Sequence, residues 1–222
     1  MNSLRLTLSK YNSLYLNLGL SIGFAFILLL FRMKITGSFF YLFLVWNLFL
    51  AGIPFAITQF FKRNPKLRSL KLVSYSGFVA WLLFLPNSPY IITDLVHLNL
   101  DHSNLMWLDI FLVFTFAFNG LLLGLLSMLD MSAFVSERFG TRISKYVLFK
   151  VCILSGYGIY LGRFLRFNSW DITTKPGTLF LQIARSIYEP NVWLITLAFG
   201  GFLWILFSLL QSILQMRDHS VA

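Results

Sequence analysis

Long uncharged runs separated by short clusters of charge dominate the chain. Between Lys10 and Arg32 lie 21 uncharged residues, and 27 separate Lys34 from Lys62. The gaps from Lys71 to Asp94, Asp109 to Asp130 and Glu189 to Arg217 hold 22, 20 and 27. A helix rising about 1.5 Å per residue needs about 20 apolar residues to cross a bilayer, so five segments qualify. A sixth is irregular. Only 12 uncharged residues separate Lys150 from Arg163, yet 146–167 otherwise reads as membrane sequence. The pattern predicts an all-α bundle of six transmembrane helices, at approximately 12–31, 38–61, 72–92, 108–129, 146–167 and 191–215. No repeat or linker divides it, so 1–222 is expected to be one membrane domain. The first segment has the basic lead of a secretory signal. It lacks a small-x-small cleavage site, and Arg32-Met33-Lys34 follows its core directly, so it is read as a retained helix.

Composition sharpens the picture. With 58% hydrophobic and only 12% charged residues, the chain has about half the charge of a soluble domain. Disorder, a coiled coil and an ordinary soluble enzyme are excluded. The net charge of +10 sits in short connections rather than along a polar face, which argues for topology and against nucleic acid. With the N-terminus inside, 12 of the 18 basic residues fall on the inner side, five of them between Lys62 and Lys71. Both termini are therefore expected in the cytoplasm. Asp94, Asp101, Asp109, Asp171 and Glu189, with His97 and His102, then all face outward, and so would any site. A single cysteine, Cys152, excludes an internal disulfide or a multi-thiolate metal centre.

Two segments carry candidate chemistry. In the first, 85–97, Pro86 and Pro89 cannot both sit inside one regular helix. The third helix is predicted to break near Pro86 and restart with Ser88 as N-cap and Pro89 in the first turn. At about 100° per residue, Asn87, Tyr90, Asp94, His97 and Asp101 then fall within about 80° of one another. Such a stripe either lines a cavity or marks a helix emerging into water. Asp94, His97 and Asp101 have the spacing of weak metal ligands, but one helix rarely completes a coordination shell, and no metal is assigned.

The second segment is 158–171. Gly158 and Gly162, like Gly120 and Gly124 in the fourth span, form small-xxx-small pairs that admit close helix approach. Arg163 and Arg166 share a face, where they either pair inside the protein or extend toward the interface. Trp170 fits an interfacial anchor. Asn47, Thr115 and Asn119 read as helix–helix glue. Residues 178–189 put Leu179, Phe180, Ile183 and Ile187 on one face of a short outer interfacial helix that could roof a site.

Pro86-Asn87-x-Pro89-Tyr90-x-x-Thr93-Asp94-Leu95-x-His97-Leu98 and Gly162-Arg163-Phe164-Leu165-Arg166-x-Asn168-Ser169-Trp170-Asp171 resemble the hallmark segments of the family filed as domain of unknown function 1361. The resemblance runs from the second helix to the sixth. It implies a multi-pass bacterial inner-membrane protein and supplies no reaction.

The residues favour a membrane-embedded enzyme with an outward site for a lipid-linked or anionic amphiphilic substrate. Asp94 and His97 would be its acid/base pair. Asn87, Tyr90, Arg163, Arg166, Asn168 and Asp171 would bind substrate, the arginines holding phosphate or carboxylate. A small-anion transporter or accessory subunit, and a structural or assembly partner, are the alternatives. The bilayer is the expected partner, and the cofactor and the oligomeric state are left open.

Overall fold

The computed structural model describes residues 2–97 and 105–219, with side chains at 13–96 and 105–216. Asp101 and His102 lie outside the described residues, as does the side chain of His97. The described chain is helical, with no strand. In order it forms α1 (Asn2–Thr36), α2 (Phe43–Arg63), α3 (Pro65–Ser69), α4 (Lys71–Phe84), α5 (Asn87–Tyr90), a 3₁₀ segment (Ile91–His97), α6 (Met106–Phe139), α7 (Thr141–Arg163), α8 (Asp171–Thr174), α9 (Pro176–Ser186) and α10 (Pro190–His219).

Five helices among the described residues are long and apolar enough to cross a membrane: Ser13–Thr36, Phe40–Arg63, Lys71–Val96, Met106–Phe139 and Pro190–Met216. The protein is a multi-pass membrane protein. The expected sixth span corresponds to α7, a 23-residue helix outside that set whose apolar run carries Lys150 and Arg163. Leu16, Leu20, Ile27 and Leu30 on α1 are each more than 60% exposed. Contiguous apolar surface of this kind fits acyl chains and not water.

α6 is the central helix, with 61% of its apolar window buried against 17–33% for the other four. One core joins α1, α2 and α6 through Leu29, Leu44, Leu48, Leu112 and Phe116. The other joins α4, α6, α7 and α10 through Trp81, Met128, Leu148, Cys152 and Phe207. Against α10, Gly156 and Gly200 bring the backbones so close that a Cβ at Gly156 would strike the Thr196 carbonyl.

Charges pair at both ends. At one end the Arg32 guanidinium meets the Asp109 carboxylate, and Asp94 meets Arg163. At the other, Lys62 pairs with Asp130 and Arg68 with Glu137. The ends are called here the Asp94 end and the Lys62 end. Each pair joins elements far apart in sequence, and of the four only Asp94 with Arg163 is expected from sequence, as two partly desolvated opposite charges at one end of the bundle.

Candidate functional site

The site begins with two missing donors. Pro86 and Pro89 have no N–H, so the α-helical ladder of α4 cannot run through them. The backbone does not leave the helical region: Leu85, Pro86 and Ile91 keep φ near −57°. What changes is the bonding. Ser88 N–H donates to the Leu85 carbonyl at 3.0 Å, one residue short of the α-helical partner. The Phe84 carbonyl, the α-helical acceptor of that N–H, is thereby left without it. The Ser169 hydroxyl donates to Leu83 O at 3.0 Å, and Asn87 Nδ2 donates to Phe84 O at 2.9 Å and to Ser169 Oγ at 3.1 Å. The loop after α7 is thus tied through Ser169 and Asn87 to the carbonyls of the last turn of α4.

Ser88 does not cap the restart, contrary to the reading from its position. Its hydroxyl donates to the Ala51 carbonyl of α2 at 3.2 Å, and it is fully buried. The reason lies in the two glycine pairs. A Cβ on Gly124 would press on Ser88, and one on Gly120 would stand 2.7 Å from Ile91 Cδ1. From the other side, a Cβ on Gly158 would stand 2.5 Å from Pro86 Cγ, and one on Gly162 3.2 Å from the Tyr90 ring. Both small-xxx-small pairs close on the same turn, 86–91, and clamp it between α6 and α7.

After Tyr90 the winding tightens to a 3₁₀ helix. At roughly 120° per residue in place of 100°, the four steps from Tyr90 to Asp94 add about 80°. Asp94 moves from about 40° to about 120° away from Tyr90, so the expected single stripe divides. Tyr90 and Asn87 face a cavity, while Asp94 is carried into the protein, where it is 2% exposed. There Asp94 Oδ2 accepts from Asn47 Nδ2 at 2.7 Å, and Oδ1 stands 3.4 Å from Arg163 Nη1. For Arg163 the structure selects internal pairing over extension to the interface.

The cavity, about 730 Å³, opens between α2, the Pro86–Tyr90 turn, α7 and α9. Its polar wall gathers Asn87, Tyr90, Arg163, Arg166 and Asn168, five of the eight candidate residues. Its apolar wall is Trp46 and Leu50 of α2, Leu82 and Leu83 of α4, Leu154 and Leu161 of α7, and Leu179 and Ile183 of α9. The short helix 178–189 expected from the sequence is α9, ending at Ser186. Leu179 and Ile183 face the cavity, but Phe180 is 67% exposed and Ile187 lies beyond the helix.

Arg166 sits in the left-handed region, with φ 59°. That conformation costs a side-chain-bearing residue about 1–2 kcal/mol and is ordinarily given to glycine. Phe167 N–H closes the reversal onto the Leu161 carbonyl at 3.0 Å. The reversal leaves Arg166 and Asn168 exposed on the cavity wall.

Asp171 stands apart from the cavity wall and is 5% exposed. Its Oδ2 accepts from Asn168 N–H at 2.7 Å and its Oδ1 from Thr174 Oγ1 at 3.0 Å. The backbone N–H of Asn168 is the main cause holding this carboxyl below the usual carboxylate range, with help from Thr174 and the nearby Lys175 charge. Asp171 fixes the loop that presents Asn168. Asn47, Trp46 and Ser169 are site residues that sequence reasoning missed. Asn47 shows in sequence only as a polar residue within an apolar span, and its link to Asp94 crosses 47 residues.

The family model described as Protein of unknown function (DUF1361) matches residues 46–206, well over half the chain, and so takes in the whole site from Trp46 to Ile183. No curated protein and no solved structure matches the chain. On that match and on the helical membrane architecture that accompanies it, the chain belongs to the family Protein of unknown function (DUF1361).

Proposed function

We propose that this protein is a membrane-embedded enzyme that takes an anionic, lipid-linked or amphiphilic substrate into the Arg163–Arg166 cavity. One observation carries the reading: a space of about 730 Å³ whose one wall is leucine and tryptophan and whose other holds two guanidiniums, three amides and two phenols. An acyl or prenyl chain fits the first wall, and a phosphate or carboxylate fits the second, where the arginine fork gives paired donors. In this reading α7 is a sixth span, the turn at Pro86 divides the third, and the whole chain is one membrane domain. The concentration of Lys and Arg at the Lys62 end argues for N- and C-termini in the cytoplasm of a bacterial cell, with the cavity facing outward.

Arg166 and Asn168 receive the headgroup, Asn87 and Tyr90 orient it, and Asp171 holds their loop. Arg163, anchored by Asp94, adds a second charge. Asp94 and His97 remain the acid/base candidates, Asp94 exchanging a proton only with a group that approaches from its Arg163 side. The full satisfaction of Asp94 by Asn47 and Arg163 favours one competing reading, in which the cluster is structural glue and the protein an assembly partner.

Dodecyl phosphate and neutral dodecyl maltoside, titrated against the purified protein, separate these readings. Binding of the phosphate that falls at least tenfold in Arg166→Gln, with unchanged melting, supports the site. Equal binding of both amphiphiles refutes it. Complementation of a deletion strain by His97→Gln then tests catalysis, since an acid/base histidine contributes about 10²–10⁴-fold in rate. Full complementation by Asp94→Asn, His97→Gln and Arg166→Gln at wild-type abundance would leave the structural-partner reading.

A further inference from the structure

We infer that the Lys62 end carries a second, independent site, which binds an anionic phospholipid of the surrounding leaflet. A cavity of about 320 Å³ lies there between α2, α4, α6 and α7, walled by Phe61, Phe78, Phe134 and Val147 and edged by Arg68 of α3 and Arg138. The two arginines are not equivalent. Arg68 is committed: it donates to Glu137 Oε2 at 2.8 Å and lies over the Phe134 ring at 4.5 Å. Arg138 pairs with no carboxylate among the described residues. It has a hydroxyl, Ser74 Oγ, at 3.5 Å, and it leans on the Tyr75 and Phe139 rings at 5.7 and 5.5 Å. An exposed cation resting on aromatic faces beside an apolar slot lacks only an anion that brings its own hydrocarbon.

Position selects that anion's source. Twenty uncharged residues of α6 separate Asp109 from Asp130, enough for about 30 Å of helix and so for the hydrocarbon layer. Arg138 lies eight residues beyond Asp130, about 12 Å further along the axis. The slot, from Met131 to Phe139 on α6, therefore spans the level where glycerol and phosphate meet the acyl chains. Lys66, Lys71, Arg142 and Lys145 are exposed at the same end and deepen the positive field that attracts an anionic lipid. The occupant is a glycerophospholipid with net negative charge, its phosphate on Arg138 and an acyl chain against Phe61, Phe78 and Phe134.

Native mass spectrometry of the full chain, released from mixed phosphatidylglycerol and phosphatidylcholine micelles, tests this. Phosphatidylglycerol should be retained in preference, and Arg138→Gln should cut that preference about fivefold, as expected for one basic residue at an anionic surface. Ile143→Trp, at the half-exposed cavity mouth, should obstruct the slot and remove the retained lipid with all charges intact and melting unchanged. Lys66→Gln, an equal loss of charge off the cavity wall, should leave retention unchanged. Equal losses in Lys66→Gln and Arg138→Gln would reduce the effect to bulk charge and overturn the site. So would unchanged retention in Ile143→Trp, or displacement of the lipid by millimolar inorganic phosphate.

Discussion

Replacing Gly158 by Ala tests the clamp on the Pro86 turn most directly. The added Cβ falls 2.5 Å from Pro86 Cγ and 2.9 Å from Pro86 Cβ, about 1 Å inside ordinary van der Waals separation. A change of ring pucker shifts Pro86 Cγ but leaves its Cβ in place, so α7 or the turn must move. Overpacking of this kind costs about 1–3 kcal/mol, against about 1 kcal/mol gained from replacing Gly by Ala inside a helix. Gly52 on α2 provides the comparison, because a Cβ there meets nothing within 4 Å. Gly52→Ala should therefore stabilise by about 0.5–1 kcal/mol, while Gly158→Ala gains nothing and destabilises by up to about 2 kcal/mol. For a chain of this size each kcal/mol shifts the midpoint by about 2–4 °C, so Gly158→Ala should melt below Gly52→Ala by several degrees. Thermal unfolding in detergent micelles measures both. A double-mutant cycle with Pro86→Ala should show a coupling of at least about 0.5 kcal/mol, because removing Cγ relieves the nearest clash. If Gly158→Ala melts as high as Gly52→Ala, α7 does not press on the proline turn and the geometry of the cavity is wrong.

Three further outcomes are expected. Asp94→Asn and Arg163→Gln should each destabilise by about 3 kcal/mol, the low end for a buried pair given its 3.4 Å separation, and the double variant by much less than the sum; additive costs in thermal melts would show that the pair is not formed. Arg166→Gly should raise the melting temperature, because about 1 kcal/mol of left-handed strain is released, while dodecyl phosphate binding falls. Asp171 has a folded-state pKa below its unfolded value near about 4, so its stabilisation of the loop is complete above that pH and is lost as the pH falls through the folded value. Hydrogen exchange should show the Asn168 amide protected at neutral pH, losing protection below about pH 4, and unprotected at neutral pH in Asp171→Ala.

Sequence alone determined that this is a helical membrane protein, because the length of an uncharged run is a local property that a bilayer reads directly. It also marked the proline turn, both glycine pairs and the two arginines, since each announces itself by residue type. It did not determine where these meet. Gly120 with Gly124 and Gly158 with Gly162 signal only close packing, and nothing local says that both pairs close on residues 86–91. The 3₁₀ winding after Tyr90 was equally invisible, because two prolines forbid a ladder without prescribing its replacement. That winding moved Asp94 off the stripe and into contact with Asn47 and Arg163, while Asn87 and Tyr90 stayed on the cavity wall. Burial of a charge in a membrane protein is tolerable only with a partner, and the partner is chosen by how helices distant in sequence stack, which tertiary packing alone decides.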